Sequence, residues 1–284
     1  MPTTMMTINN LFHLRPVRPA DREPIVGWCN LLWDGQEDYI GEVWDAWLAE
    51  GNLFVGTLPP AADPVALLRL RMPSASEAWF GGLRVHPDLH GRGGGRQLIT
   101  TAVAWAHERG ATSLGYMTET ANERMHYLGK MMGFTRLGSI SWARITADVL
   151  PPAMAAVQHD PSLIDLERTP NLAAQQGRYI SDWTVRRLTR ERLSRHAARS
   201  ELLINASATA WLILEADPPR ARYLTHAEGS VSEIRALVAH GLNLPNTEHG
   251  ILCPAWDNAP LQQVCGEIGF VDSTEYYSLF ERPV

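Results

Sequence analysis

Cysteine is scarce in this chain of 284 residues, and long apolar runs and basic patches are missing from it. Its three cysteines, Cys29, Cys253 and Cys265, are too widely spaced for a disulfide framework or a zinc ligand set. A net charge of −6 argues against a general nucleic-acid or anionic-membrane surface. There is neither a run of about eighteen apolar residues nor a signal-peptide pattern near the start. We therefore expect a cytoplasmic protein, monomeric or homodimeric, with no nucleic-acid or membrane partner.

Several catalytic motifs are missing as well. No Gly-Lys-Ser/Thr follows the glycine-rich segment, so a Walker phosphate loop is excluded, and no Gly-x-Ser-x-Gly elbow indicates a serine hydrolase. His86 and His90 are four residues apart, but Pro87 prevents the helix that would place both on one face for a metal. We therefore expect no metal site.

What the chain does contain is a strand, a turn and a helix around a run of glycines. The apolar run from Trp79 to Val85 has strand length and ends at Pro87, and apolar residues recur at helical spacing after Gly95. Glycines let backbone N–H groups converge, and a helix start adds unpaired N–H groups and the positive end of the helix dipole. With Arg92 and Arg96 at the rim, this pattern predicts a phosphate or pyrophosphate site.

The segment Val85-His86-Pro87 with His90-Gly91-Arg92-Gly93-Gly94-Gly95 resembles the acetyl-CoA loop of the GCN5-related N-acetyltransferase (GNAT) superfamily. That loop reads Gln or Arg, two residues, Gly, one residue, then Gly or Ala, so Gly93 and Gly95 match and His90 departs. The stretch from Asn122 to Gly133-Phe134 resembles a later helix of the same superfamily. The resemblance implies acetyl-CoA as co-substrate, bound by the following residues: Leu83, Arg84, Val85, His90, Gly91, Arg92, Gly93, Gly94, Gly95, Arg96 and Asn122. Asn122 is equally well explained as a plain helix N-cap.

The resemblance leaves the proton-transfer groups open. Many members place a tyrosine seven residues after that asparagine, whereas this chain has Gly129 there. Tyr127 lies about 200° around the helix from the expected position, and it is one candidate for the catalytic acid. Glu119, at the end of the preceding strand, is the candidate general base, although a surface carboxylate explains it equally well.

The acceptor is expected where Glu37, Asp38 and Tyr39 precede a helix. The two carboxylates either bind a cationic amine or simply favour the start of that helix. This segment resembles that of the vertebrate histidine N-acetyltransferases, which implies a small amine such as a free amino acid as acceptor. Tyr39 also belongs to an apolar helical stripe with Trp44 and Trp47, which indicates core packing.

The chain then repeats itself. Asn258 precedes Gly269-Phe270 by the same spacing that separates Asn122 from Gly133-Phe134, and a strand and a helix come before each. We therefore expect an α/β (α+β) protein with two GNAT-like domains, each a mixed, mostly antiparallel sheet flanked by helices. The predicted parts are a catalytic domain over 1–146 with the acetyl-CoA loop, a linker over 147–177, and a degenerate domain over 178–284 without that loop.

Two functions remain open from the sequence. The first is an acetyl-CoA-dependent N-acetyltransferase that acts on the amine of a small molecule. The second is a non-catalytic acyl-CoA-binding module, which Gly129 and the glycines Gly81 and Gly82, where members often carry a strand glutamate, would explain.

Overall fold

The computed structural model describes residues 11–33, 36–146, 148, 156–181, 183–217, 221–245, 247, 250–256 and 260–284. The chain forms two compact units that do not follow chain order. Unit 1 contains Met1–Tyr116, Glu123–Thr135 and Phe280–Val284, and unit 2 contains Met117–Asn122 and Arg136–Leu279. The last five residues of the chain therefore belong to the unit that begins it.

Unit 1 is built on an antiparallel series of strands that ends in a parallel pair. The strands are β1 (His13–Pro16), β2 (Leu53–Thr57), β3 (Pro64–Arg71), β4 (Glu77–Val85) and β5 (Ser113–Glu119), of which β5 runs on into unit 2. Each pairs with the next in antiparallel fashion until β5, which is parallel to β4. The helices are α1 (Arg22–Cys29), α2 (Ile40–Glu50), α3 (Gly94–Glu108) and α4 (Glu123–Met131).

The alternation of side chains along β3 distributes this sheet between two cores. Leu67 packs with Trp44 and Trp47 of α2, whereas Leu68 and Leu70 belong to the core that includes apolar residues of α3. Successive residues of a strand point to opposite faces, so α1 and α2 lie on one face and α3 on the other. Trp44 and Trp47 of the predicted helical stripe are thus core residues, whereas the prediction of core packing is wrong for Tyr39, which is 45% exposed.

Unit 2 also combines strands with helices. Its strands are β6 (Thr135–Ile145), β7 (Val157–Gln158), β8 (Arg178–Ser181), β9 (Thr184–Arg187), β10 (Leu202–Asn205), β11 (Trp211–Asp217), β12 (Ala221–Glu228), β13 (Ile251–Trp256) and β14 (Val271–Pro283). Its helices are α5 (Pro170–Ala174), α6 (Arg190–Ala198), α7 (Val231–Gly241) and α8 (Pro260–Ile268). The main strand order is β14-β6-β13-β12-β11-β10-β7, with β12 and β13 parallel, while β8 and β9 form a separate hairpin.

The prediction of an α/β fold with a mixed, mostly antiparallel sheet flanked by helices is confirmed. The sequence reading missed the β8–β9 hairpin, α6 and β14. The predicted domain boundaries at 146 and 178 stay predictions. Asn258, the first residue of the predicted repeat, lies outside the described residues, as does most of 147–155.

The helix ends of the predicted repeat have the same geometry in both copies. Gly133 and Gly269 follow α4 and α8 in the left-handed region, with φ of 81° and 101°. The next residue donates its backbone N–H to the carbonyl five residues earlier, from Phe134 to Gly129 and from Phe270 to Cys265, each at 2.9 Å. Glycine suits this position because it has no Cβ to clash in that conformation.

Candidate active site

A bulge in β4 is the first feature of the site. The β3–β4 pairing shifts between Leu67–Arg84 and Arg69–Gly81, so that one residue of β3 opposes two of β4. Gly82 lies in this bulge with φ of 58°, and a Cβ there would come within 2.5 Å of the ring of Trp47. The bulge therefore requires glycine for its backbone and for close packing on α2.

The parallel pairing of β4 with β5 stops short of the end of β4. It runs from Glu77–Ser113 to Trp79–Gly115, and β4 continues for six more residues to Val85. The predicted cofactor-binding residues Leu83, Arg84 and Val85 lie in this continuation. Their edge of β4 lies beyond the β5 pairing, a position where an extended ligand can run beside the strand.

Two histidines hold the turn that follows β4. The Nδ1 atom of His86 accepts a hydrogen bond of 3.3 Å from the backbone N–H of Asp88, at the start of a single 3-10 turn. The Nε2 atom of His90 lies 2.9 Å from the carbonyl oxygen of Val85. His90, which replaces the usual Gln or Arg, thus ties the glycine loop back to the strand that leads into it.

The glycine loop itself opens the N-terminus of α3. Gly91 and Gly93 have φ of 75° and 86°, and a Cβ on either would have nothing within 4 Å. Gly94 differs, because its Cβ would come within 2.7 Å of the Phe12 ring. Glycine is therefore needed at positions 91 and 93 for the left-handed backbone conformation. At position 94 it is needed because the Phe12 ring leaves no room for a Cβ.

Among the described residues, the N-terminus of α3 has no side-chain cap. Gly93 is its N-cap, no side chain from the described part of the chain accepts a hydrogen bond there, and the first turn contains no acidic residue. Arg92 and Arg96 are exposed on either side. Free N–H groups, the positive end of a helix of 15 residues and two guanidinium groups form a site that fits a phosphate or pyrophosphate.

Helix α7 of unit 2 begins differently, with a carboxylate at its N-terminus. Ser230 caps α7, and the carboxylate of Glu233 accepts a hydrogen bond of 3.1 Å from the backbone N–H of Ser230. Hydrogen bonds from Ser230 and Thr209 lower the pKa of Glu233 to about 2, so its negative charge persists at this helix start. The α7 N-terminus therefore already holds an anion of its own chain and repels a phosphate.

The three predicted acceptor residues, Glu37, Asp38 and Tyr39, differ in their exposure to solvent. Asp38 is buried, and its Oδ2 accepts hydrogen bonds from Arg84 Nε at 2.8 Å and from Trp33 Nε1 at 2.6 Å. Tyr39 is 45% exposed, and its ring lies 5.3 Å from the Arg84 guanidinium. Glu37 is exposed. Asp38 is thus neutralised by Arg84, which leaves Glu37 as the solvent-facing carboxylate of the three.

Tyr116 of β5 explains why position 129 is a glycine. A Cβ at Gly129 would lie 1.9 Å from the Tyr116 hydroxyl oxygen. That hydroxyl donates a hydrogen bond of 3.1 Å to the carbonyl of Met125, and the ring is stacked between Phe80 and Phe280. Burial raises the pKa of Tyr116 well above its ordinary value, which makes it a poor acid for an external thiolate.

The other predicted catalytic and cofactor residues occupy different surroundings. Tyr127 lies on α4 and is 68% exposed. Glu119 ends β5 and is exposed, and Asn122 immediately precedes α4 and donates its backbone N–H to the Glu119 carbonyl. The roles of all three stay predictions.

The described residues show neither a metal site nor a membrane-spanning helix. They contain no cluster of three His, Cys, Asp or Glu side chains that could hold a metal ion. Within the same part of the chain, no helix has both the length and the apolar character needed to cross a bilayer.

The chain is similar to known proteins in its structure and in part of its sequence. No curated protein sequence matches the chain. A GCN5-related N-acetyltransferase from Sphaerobacter thermophilus has a similar structure at 16% identity, covering 98% of this chain and 97% of that chain with a TM-score of 0.61. One from Kribbella flavida matches at 14% identity, covering 96% of this chain and 71% of that chain with a TM-score of 0.52. These likenesses show the fold.

The sequence model of the Acetyltransferase (GNAT) family matches residues 25–134, which include β4, the glycine loop, α3 and α4. Acetyl-CoA is the co-substrate of this family, and it contains a pyrophosphate, a group of the kind that fits the open start of α3. Residues 25–134, less than half of the chain, are therefore similar to the Acetyltransferase (GNAT) family.

Proposed function

We propose that this protein is an acetyl-CoA-dependent N-acetyltransferase that acetylates the amine of a small molecule such as a free amino acid. The observation that carries the proposal is the uncapped N-terminus of α3, which follows a glycine loop on a bulged β4. It supports binding of a pyrophosphate-containing acyl donor. The family match over 25–134 supports acetyl transfer as the reaction.

In this proposal the backbone does most of the binding. When bound, acetyl-CoA supplies a thioester whose acetyl group an amine can accept. The N–H groups that begin α3, with Arg92 and Arg96, hold the pyrophosphate, and the end of β4 orients the pantetheine arm. Holding the donor in a fixed direction lowers the entropic cost of bringing the amine to the carbonyl.

We further propose Glu37 as the carboxylate that attracts the protonated amine. Asp38 acts instead as a positioning residue, because its hydrogen bonds fix Arg84 and Trp33. Glu37→Gln should raise KM for the amine and leave KM for acetyl-CoA unchanged. Equal effects on both constants would place Glu37 outside the acceptor site.

The decisive binding test compares two glycines at opposite ends of α3. Gly93→Val and Gly110→Val both place a β-branched residue at a left-handed φ, 86° and 76°, where a Cβ meets no neighbour. Each substitution should cost about 1–3 kcal/mol of stability. Only Gly93→Val should abolish the thermal shift caused by acetyl-CoA, which is about 5–10 °C at a hundred times Kd.

The ligand series for this experiment isolates the phosphates. Acetyl-pantetheine carries the thioester without the pyrophosphate, so it should stabilise the wild-type protein far less than acetyl-CoA does. Equal stabilisation by both ligands, or loss of the acetyl-CoA shift in Gly110→Val as well, would refute the assignment of the glycine loop.

We also propose that the chain is of the tandem-domain type, with 1–146 as the catalytic domain and 178–284 as a degenerate one. Support comes from the matching ends of α4 and α8 and from the Glu233 carboxylate at the start of α7. Isothermal titration should therefore give one acetyl-CoA per chain. Two sites of equal affinity would contradict the degenerate role.

A non-catalytic acyl-CoA-binding module is the second candidate, favoured by one observation. The Tyr116 hydroxyl occupies the space where a side chain at position 129 would stand, so the usual tyrosine acid is missing. Free CoA released in the presence of an amine panel separates the candidates. Binding without any amine-dependent CoA release would favour the module.

A further inference from the structure

A cavity lies wholly within unit 2, and none of its lining residues belongs to the glycine loop. Its volume is about 300 Å³, enough for a small metabolite. The walls come from β6, the β8–β9 hairpin, α6, β11, β12 and β13. We name it the unit-2 cavity.

One wall of the unit-2 cavity is aromatic. The ring of Trp142 lies 4.6 Å from that of Trp183 and 5.9 Å from that of Tyr223. Trp183 is 46% exposed and sits in the β8–β9 turn with φ of 54°. A two-residue hairpin turn favours glycine or asparagine in that conformation, so a tryptophan there needs a reason other than the fold.

Another part of the lining, the polar wall, carries charges of both signs. The Oε2 atom of Glu215 accepts a hydrogen bond of 2.9 Å from Ser181, and its Oε1 has no hydrogen-bond partner among the described residues. Arg186 and Arg192 line the same space. The residues that line the cavity include four arginines and two glutamates.

Several residues that line this cavity carry a buried polar atom without a hydrogen-bond partner among the described residues. Trp142 Nε1 and Thr225 Oγ1 join Glu215 Oε1 in having none within the described part of the chain. Such atoms are rare in folded proteins, because each one costs the desolvation of a polar group. Three such atoms belong to residues that line one space, and a polar ligand that reached them would supply the missing partners.

A hydrogen-bonded relay holds the polar wall in place. The Nδ1 atom of His196 lies 2.8 Å from Glu201 Oε2, and its Nε2 lies 2.9 Å from the Tyr179 hydroxyl and 3.6 Å from Glu215 Oε1. The carboxylate of Glu215 is therefore set among fixed neighbours, as a preorganised binding group is.

We propose that the unit-2 cavity binds a free α-amino acid with an apolar or aromatic side chain. Glu215 receives the ammonium group, Arg186 and Arg192 receive the carboxylate, and the Trp142–Trp183–Tyr223 wall receives the side chain. A simple amine would meet an excess of arginines, and a simple acid would meet Glu215. A zwitterion satisfies both signs. This is a binding site that requires neither acetyl-CoA nor the proposed reaction.

Isothermal titration of the full chain without acetyl-CoA tests the proposal. The probes are L-tryptophan, L-phenylalanine and L-leucine, with tryptamine and indole-3-propionate as analogues that lack one charged group. At least one of the three amino acids should bind. Tryptamine and indole-3-propionate, the analogues of tryptophan, should each bind at least tenfold more weakly than that amino acid. Absence of binding by all three amino acids, or tight binding of tryptamine alone, would overturn the ligand class.

Two variants and one control place the ligand in the cavity. Glu215→Gln and Trp183→Gly should each weaken amino-acid binding at least tenfold, whereas Glu267→Gln on the exposed face of α8 should not. Trp183→Gly suits the left-handed turn, so it should keep the melting temperature of the wild type. If a folded Trp183→Gly protein binds the amino acid normally, the site lies elsewhere and the proposal fails.

Discussion

The contact between Tyr116 and Gly129 can be tested by a double-mutant cycle. In Gly129→Ala, the new Cβ would overlap the Tyr116 hydroxyl at 1.9 Å and press on Cζ at 3.0 Å. The ring has little room to retreat, because Phe80 and Phe280 stack on it at 4.8 and 4.9 Å. Overpacking costs about 1–3 kcal/mol, and the better helix propensity of alanine offsets about 1 kcal/mol of this. We expect a net loss of up to about 2 kcal/mol.

Removal of the hydroxyl should relieve that overlap. Tyr116→Phe alone loses the hydrogen bond to Met125, which costs about 0.5–1.5 kcal/mol. The double variant should be no less stable than Tyr116→Phe alone. Without the hydroxyl there is no overlap with the alanine Cβ, so the better helix propensity of alanine at position 129 stabilises α4. The coupling energy between the two positions should therefore be about 1–3 kcal/mol.

Urea unfolding followed by circular dichroism measures each corner of the cycle. Gly27→Ala in α1 is the matched control, because a Cβ there meets nothing within 4 Å, and it should be neutral or stabilising. If Gly129→Ala behaves like Gly27→Ala, the hydroxyl does not fill the space at 129. If the loss persists unchanged in the Tyr116→Phe background, the clash lies with another group.

Three further expectations concern other groups. Tyr127→Phe should lower kcat only a few-fold, whereas Glu119→Gln, if Glu119 is the base, should lower it about a hundredfold with partial recovery at high pH; a nearly inactive Tyr127→Phe enzyme would reverse these roles. A thiol reagent should not label Cys253 or Cys265 in the folded protein, because their mutual contact at 3.3 Å and burial raise the pKa of Cys253; rapid labelling without denaturant would contradict their burial. Burial also raises the pKa of Glu215 above its ordinary 4.5, so its contribution to stability is complete below that pH and is lost as the pH rises through the folded value; Glu215→Gln should flatten this loss, and an unchanged pH profile would disprove it.

The glycine loop was predictable because its signal is local. Strand, turn, glycines and helix follow one another between Trp79 and Gly110, and each has a periodicity or a breaker of its own. The α3 helix and the end of β4 accordingly lie where the sequence indicated. The roles of Gly91 and Gly94 differ, however, because only the folded chain places Phe12 against Gly94.

Contacts between distant positions could not be predicted in this way. Asp38 and Arg84 are 46 residues apart, so no periodicity indicated that the predicted acceptor carboxylate would be buried in an ion pair. The sequence showed that position 129 holds glycine and not tyrosine. It did not show the reason, because Tyr116, which fills that space, belongs to a different element. The strand β9 was missed since its arginines, Arg186 and Arg187, resemble a polar loop.

The placement of Phe280–Val284 in unit 1 has a consequence for the order in which the units are synthesised. Phe280, which stacks on Tyr116, and Val284, whose backbone N–H donates to Thr112, both belong to unit 1. They leave the ribosome about 145 residues after Thr135, which at about 5–20 residues per second is a delay of roughly 7–30 s. The first unit to emerge is therefore completed only after most of unit 2 has been synthesised, and its aromatic stack stays open on the nascent chain until Phe280 has emerged.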